Sequence, residues 1–469
     1  MKRHAWMIST LLGVPLAALT FIHCVGDEAS IGNSTPEAGQ PDPGTDSATP
    51  GTDGAPEIDA GFDTGVDPAT CAARKVNEAS AVFVNINGTD SAQCGSAAEP
   101  CQTVQTGINQ AKTLTKTTVY IARGTYKESA TLAAGVTLEG GWDTLAGKWI
   151  PACENNDLIT AVKLQMPDAD NTVLSADFTG AATLRYLSIV GKTAKPVAGE
   201  SVYGVFAKNA ALTFESISVS VGPAGKGDDG SIGSTGGTGA TKCAQGNAGA
   251  GTAAGVGGAA TAGTFGALGY VPKNGGTGLS NGTTGQNGTC TATCPGNEVT
   301  QCTPNVAGCN AMEGCPTPLA GCGGGPGGGG SGGLGGGSSI AVFGWEATFS
   351  VNGGAFISGN GGAGGVGGGG GSGGPSGAGT TQQVICVSCI NNNACATVGN
   401  QTIATGGLGG KGGNGGQGGG GAGGNSYGIY AGGTAGKINV VNAPLYQNGT
   451  AGGAGAPNGP AGVAAQHFP

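Results

Sequence analysis

Glycine stands at every third position from Gly406 to Gly424, in the run GGLGGKGGNGGQGGGGAGG. A beat of three suits neither an α-helix nor a strand, whose side-chain periods are about 3.6 and 2. It suits the extended polyproline-II-type helix, with about 3 residues per turn and no hydrogen bonds of its own. Glycine at each third residue strips one face of such a helix to bare backbone, so rods of this kind can lie side by side. Four other tracts keep the beat: 227–239, 321–336, 359–377 and the shorter 449–455. Collagen is excluded, because Pro is scarce in these tracts (Pro326, Pro375) and collagen needs it in many triplets. Two readings remain, slack Gly/Ser-rich loops or a bundle bonded from rod to rod. Ordering a Gly costs roughly 0.5–1 kcal/mol more than ordering an Ala. One inter-rod hydrogen bond returns only about 0.5–1.5 kcal/mol. A bundle therefore needs several tracts and covalent staples, and the regular beat favours it.

The staples are present. Residues 1–24 have the layout of an export signal: Lys2 and Arg3, then a 16-residue apolar core, MISTLLGVPLAALTFI. That core is short for a membrane span, which takes about 20 residues. Two exits are open. Cys24 is the candidate lipidation site of a bacterial lipoprotein, although His23 is bulky for the residue before such a cysteine. Ordinary cleavage after Gly26 is the other. Residues 25–70 carry ten acidic residues and no Lys or Arg among Pro, Gly, Thr and Ser, the composition of a solvated tether. The chain's net charge of −9 comes from this segment; without it and the signal, 18 acids face 17 bases. No basic patch invites nucleic acid. An exported chain with fourteen further cysteines is expected to hold disulfides. They fall into three even groups: Cys71, Cys94, Cys101 and Cys153; Cys243 with Cys386, Cys389 and Cys395; and Cys290, Cys294, Cys302, Cys309, Cys315 and Cys322. Cys94 and Cys101 bracket a loop that a bridge could close. A zinc site at Cys386–Cys389 is the weaker alternative, since no His lies nearby.

From residue 71 the pattern turns to short strands. Ala81–Asn87 reads as a strand, Thr103–Thr115 as an amphipathic helix with Val104, Ile108, Ala111 and Leu114 on one face, and Val119–Ala122 as a strand. Thr131–Glu139 reads as two short strands broken at Gly135, and Gly140–Asp143 as the turn that ends the unit. Many strands and one helix suggest stacked coils. A repeat reinforces this, with copies beginning at Ser201 (SVYGVFAKNAALTFES), Ser339 (SIAVFGWEATFSV) and Ser426 (SYGIYAGGTAGKINVV). One copy cannot bury its own face, so successive copies should stack as a solenoid with the glycine tracts inserted at its corners.

The run VFVNINGTDS…EPCQTVQTGINQA…TVYIARGTYKES…GVTLEGGWD resembles the opening segment of right-handed parallel β-helix proteins of the pectate-lyase-like superfamily. Gly88, Asp90, Pro100, Thr103, Val104, Gly107, Ile108, Gly124, Tyr126, Gly140, Gly141, Trp142 and Asp143 carry the likeness. The glycine tracts resemble PGRS-like glycine-rich insertions. The resemblance implies an all-β, right-handed parallel β-helix whose first coil is capped by the 103–115 helix. Residues 71–220 then form the N-terminal part, and 221–469 interleave glycine- and cysteine-rich insertions with further coils.

Chemistry is sparse. Past the signal a single His remains, His467, which argues against His-based catalysis and metal sites. The Gly-x-Gly-x-x-Gly matches follow from composition, so no phosphate cradle and no cofactor is expected. The resemblance raises a lyase option in which Arg185 or Lys163 removes a proton beside calcium-binding Asp170 and Asp177. No family motif aligns with these four, and solvated surface residues are the stronger reading. Trp142, Trp149 and Trp345 could stack on sugar rings; Trp345, at a coil corner, is the carbohydrate-contact candidate, set against simple packing on the next coil. The reading favoured is a non-catalytic, surface-tethered module for adhesion or carbohydrate contact, touching the membrane through its lipid and glycans or other cells through its body. A polysaccharide-processing enzyme comes second, and an ice-binding-like or purely structural glycine bundle third.

Overall fold

The chain divides into two units, Met1–Thr52 and Asp53–Pro469. The computed structural model describes residues of the second: 68–153, 158–167, 170, 172–193, 196–243, 249–279, 282–287, 290–292, 319–390 and 394–468. For 290–292, 382–390 and 394–405 only the backbone is described. The signal, Cys24 and the tether up to residue 67 lie outside these residues. So do Cys294, Cys302, Cys309 and Cys315 and the side chains of Cys290, Cys386, Cys389 and Cys395.

The fold is all-β, a right-handed parallel β-helix. One ladder of parallel strands runs through Ala81–Val84, Thr118–Ala122, Thr137–Leu145, Thr172–Arg185, Val202–Glu215, Ser339–Trp345, Ser426–Gly432 and Ala464–Phe468. A second runs through Gly124–Lys127, Val162–Gln165, Ser188–Val190, Ser218–Ser220, Ala355–Ser358 and Leu445–Asn448. Parallel crossovers of this kind wind right-handed because twisted strands pack back onto their sheet only that way.

Register stacks like residues over like. Val205 pairs with Val342, and Val342 with Ile429. Leu212 pairs with Phe349, and Phe349 with Ile438. The three repeat copies are therefore three consecutive coils, with Ser201, Ser339 and Ser426 at or beside the same corner. Inward columns make one core that includes Val82 at one end and Ile429 at the other, its side chains buried throughout. At about 25 cal/mol per Å² of buried apolar area, this column is the main stabilising term.

The helix spans Val104–Thr113 with Thr103 as N-cap, its hydroxyl accepting from Thr106 N. It buries Val104, Ile108 and Ala111 over the first coil. Leu114, expected on that face, is 49% exposed because it lies beyond the last helical turn. Glu128 closes the helix start from outside, its carboxylate accepting from Val104 N and Gln105 N at 2.8 and 2.9 Å.

Gly140–Asp143 does not end the unit. It lies inside the strand Thr137–Leu145, which turns back and pairs antiparallel with Lys148–Pro151. The two glycines are there for close approach: a Cβ on Gly140 would meet Tyr186 O at 2.2 Å, and Gly141 sits at φ +68°.

Three disulfides are described: Cys71–Cys153, Cys94–Cys101 and Cys243–Cys322. The third corrects the cysteine grouping, which sets Cys243 with Cys386, Cys389 and Cys395. Sequence proximity misleads there, because residues 79 apart meet where the chain doubles back.

Candidate functional site: the glycine bundle and its outer faces

The glycine tracts lie side by side as rods, bonded to one another at every third residue. Rod 1 (225–240) donates from Gly227, Gly230, Gly233, Gly236 and Gly239 to the carbonyls of Ala363, Val366, Gly369, Ser372 and Pro375 in rod 5 (359–377). Rod 4 (321–337) donates from Gly321, Gly324, Gly327, Gly330, Gly333 and Gly336 to carbonyls of rod 6 (406–424), from Gly407 to Ala422 in steps of three. A second phase of rod 4, including Gly325, Gly328, Ser331 and Leu334, donates to rod 1 running the other way. Rod 6 in turn donates from Gly409, Gly412, Gly415, Gly418, Gly421 and Gly424 to rod 5. This is the bonding expected of helices with about 3 residues per turn, each satisfying through its neighbours the backbone groups it cannot satisfy alone.

Two more rods are not legible as tracts. Rod 2 (249–260) donates from Gly251, Ala254, Gly257 and Ala260 to rod 6. Rod 3 (273–279 and 282–287) runs antiparallel to rods 2, 4 and 6. Alanine at alternate beats of rod 2 hides it; a search for any small residue at every third position would find it. Rod 7 (449–462) lies against rods 5 and 6.

Position in the bundle explains composition. Rod 6 touches rods 2, 3, 4, 5 and 7, and its triplets read Gly-Gly-x with x exposed at Leu408, Lys411, Asn414 and Gln417. Rod 4 bonds to rods 1, 3, 5 and 6 and has glycine in all three phases; a Cβ on Gly327, Gly328 or Gly329 would meet Gly371 O at 2.0 Å, Ser234 Oγ at 2.5 Å or Gly278 O at 1.9 Å. Rod 1 lies at the edge and keeps one glycine in most triplets, with Gly236–Gly237 an exception. Its outward phase, Ile232, Thr235 and Thr238, is exposed. On rod 5 the outward phase is Val366, Ser372 and Pro375. The outer faces therefore present mostly uncharged side chains at a spacing of roughly 9 Å, three residues at ~3.1 Å rise, with Lys226, Asp229 and Lys411 among the charged exceptions on rods 1 and 6.

The bundle is fixed to the β-helix at identifiable points. Lys192 and Glu200, both nearly buried, pair at 2.8 Å where the chain leaves the coils for rod 1. Ser339 Oγ donates to Gly222 O and accepts from Gly359 N, while Ser358 and Ser426 hydroxyls share a bond at 2.9 Å. The hairpin Thr264–Gly266/Gly269–Val271 lays Phe265 on Tyr430, 3.9 Å between ring centroids, over an outward aromatic column of Phe206, Phe343 and Tyr430. Tyr270 hydroxyl reaches Gly423 O at 3.1 Å. Burial pushes the Tyr270 phenol up to about 12, with the neighbouring Tyr203 and Tyr427 adding to it.

The four residues of the lyase option are not gathered. Arg185 pairs with Glu139 at 2.8 Å and with Glu215 at 3.6 Å, its register neighbours on the adjoining coils. Asp177 pairs with Lys208 at 2.6 Å and accepts from Asn209; the Lys208 bond, then the Asn209 bond, hold its carboxyl below the usual range. Asp170 accepts from Ser129 Oγ, and Lys163 is exposed. Trp142 is fully buried, not an exposed platform: Arg74 covers its ring at 4.5 Å and Tyr120 meets it edge-on. Trp149 packs on Phe83 at 4.8 Å. Trp345 is half-buried at its corner, packed against the aromatic cluster and over Gly432, where a Cβ would lie 3.0 Å from the indole. Among the described residues one group has metal-ligand spacing, Asp90 with Cys94 and Cys101. Its sulfurs are joined in a disulfide, and Asp90 accepts from Gln102 N and Thr103 N, so its chemistry is already used.

No protein-family model matches the chain. No match to the chain was found among curated proteins. Among solved structures it is similar to a pectin methylesterase in complex with a hexasaccharide, at 11% identity over 29% of this chain and 42% of that one, TM-score 0.19. The pectin methylesterase from Aspergillus niger gives 16% identity, 32% and 46% coverage and a TM-score of 0.21. That from carrot gives 15%, 32% and 45%, and 0.20. The chain spans less than half the length of each. The β-helix above rests on its own strand register.

Proposed function

We propose that this is a non-catalytic surface module: an exported β-helix, stapled by disulfides, that holds a stiff glycine-rod bundle outward for adhesion or for contact with glycans. The observation that carries the reading is the three-residue hydrogen-bond ladder that joins rods 1 to 7 and continues into the coils. A ladder of this extent supports a rigid display surface, since each rod is immobilised by two or more others. Arg185 and Asp177 are each committed to charged neighbours on adjoining coils and Asp170 to Ser129, which favours a structural role for these three. Lipidation at Cys24 would tether the module to the outer surface. The test pairs surface labelling of intact cells with a glycan array probed by the purified protein. Surface exposure with array binding that Gly415→Ala abolishes supports the reading. Release of unsaturated or de-esterified products from polyuronates, lost in Arg185→Ala, would replace it by the enzymatic one.

A further inference from the structure

We propose that Asn87 and Asn458 are sites of spontaneous deamidation, and that the ladders between rods and coils shield the other described Asn–Gly pairs from it. Asn–Gly is especially open to this reaction, because glycine has no Cβ to hinder its own backbone nitrogen. The Gly nitrogen attacks the Asn Cγ, an N–Cγ bond forms, and the Cγ–Nδ2 bond breaks. Ammonia leaves, carrying the proton from the Gly nitrogen. Water then opens the resulting succinimide at either carbonyl and leaves aspartate or isoaspartate, so the chain and water are the only reactants.

The chain holds nine Asn–Gly pairs, and both residues are described in seven of them. In each of the seven the attacking N–H is donated to a backbone carbonyl, but the carbonyls are of two kinds. Gly275, Gly353, Gly361, Gly415 and Gly449 donate to another rod or coil, at 2.8 to 3.1 Å. Three of the asparagines before them are pinned as well. Asn274, Asn360 and Asn414 accept through Oδ1 from Gly335 N, Thr450 N and Gly373 N, each on a different rod from its own. Gly88 and Gly459 instead donate within their own turns, to Asn85 O and Gly455 O, three and four residues back.

Solvent access does not separate the two sets. Asn274, Asn360 and Asn414 are exposed, as are Asn87 and Asn458. The difference lies in the opening that frees the nitrogen. A turn frays by itself, near the low end of local opening free energies, whereas a bond between rods opens only when two packed rods part. For the rod asparagines the carboxamide must also be released from a second rod before the carbon can be reached. The bundle therefore carries its exposed asparagines in a form that ages slowly.

Peptide mapping by mass spectrometry tests this, on purified, oxidised protein held at mildly alkaline pH, with urea-unfolded protein alongside. In the native protein Asn87 and Asn458 should convert at least about tenfold faster than Asn274, Asn360 and Asn414, a factor that ~1.4 kcal/mol of opening free energy supplies. In the unfolded chain all five should convert at similar rates. Gly370→Ala, whose Cβ would lie 1.9 Å from Gly415 O, parts rods 5 and 6 beside Asn414. It should speed conversion at Asn414 and leave Asn87 unchanged. Rod asparagines as fast as Asn87 in the native protein, turn asparagines as slow as those of the rods, or an Asn414 indifferent to Gly370→Ala would each overturn the proposal.

Discussion

Replacing Gly415 with alanine puts a methyl group where rod 6 meets rod 4. Its Cβ would lie 1.9 Å from Gly328 O and 2.4 Å from Gly328 C, against a contact limit of 3.0 Å. Both atoms belong to backbone, so no side chain can swing aside; the rods must part by about 1 Å. The flanking bonds Gly327 N to Gly413 O and Gly330 N to Gly416 O, at 2.9 and 3.0 Å, then stretch beyond the normal range of about 3.2 Å. Two lost bonds at ~0.5–1.5 kcal/mol each, with the desolvation cost of the groups left unpaired, give a loss of about 2–5 kcal/mol. Gly369→Ala is the internal control. That glycine lies on rod 5 with nothing within 4 Å of its added Cβ, and its φ lies outside the left-handed region. It should be neutral or stabilise by about 0.4–1 kcal/mol, through reduced freedom of the unfolded chain. Denaturant midpoints of the oxidised protein, with hydrogen exchange across 406–424, measure both. Equal losses in the two variants, or free-chain exchange throughout 406–424 in the native protein, would refute the rod packing.

Removing the Cys243–Cys322 bridge with paired serines opens a loop of 79 residues. Chain entropy predicts a loss of about 4–5 kcal/mol, read as a lower urea midpoint of the bundle. Arg74→Met removes the guanidinium held between Trp142 and Tyr186, 4.5 and 4.2 Å from their rings, together with its 2.7 Å bond to buried Glu139. A loss of about 2–4 kcal/mol is expected, because Glu139 then keeps Arg185 alone. The Glu346 carboxylate accepts from Ala435 N and Thr434 N, in that order of effect, and is held below its ordinary 4.5. A depressed folded value means stability that is present above the unfolded value and is lost as pH falls through the folded one. Thermal melts of the native protein should therefore fall in acid below about pH 4.5 more steeply than those of Glu346→Gln.

Much of the β-helix is legible in the residues alone. The strand-and-helix order of residues 81–126, the capping helix and the three repeat copies follow from alternation and helical spacing. Gly140–Asp143 reads wrongly as a turn because two adjacent glycines usually signal one, whereas here each allows another backbone to pass close by. Cys243 falls into the wrong group because spacing along the chain says nothing of where two rods cross. Trp142 resembles a surface platform since nothing local reveals that Arg74, nearly seventy residues earlier, closes over it. Of the candidate contact surface, five tracts and their period are visible in the sequence. Rod 2 escapes notice because alanine replaces glycine at two of its beats.

What the sequence determined by itself is periodicity: two for the coils, three for the rods, and the count of bare faces each rod carries. Those are local, since they depend on where a side chain points along its own segment. Which rod lies at the centre was decided only by tertiary structure. Gly406–Gly424 touches five others because rods from both sides of it in the chain fold back upon it, and hydrogen bonds between rods carry no side-chain label to predict the pairing.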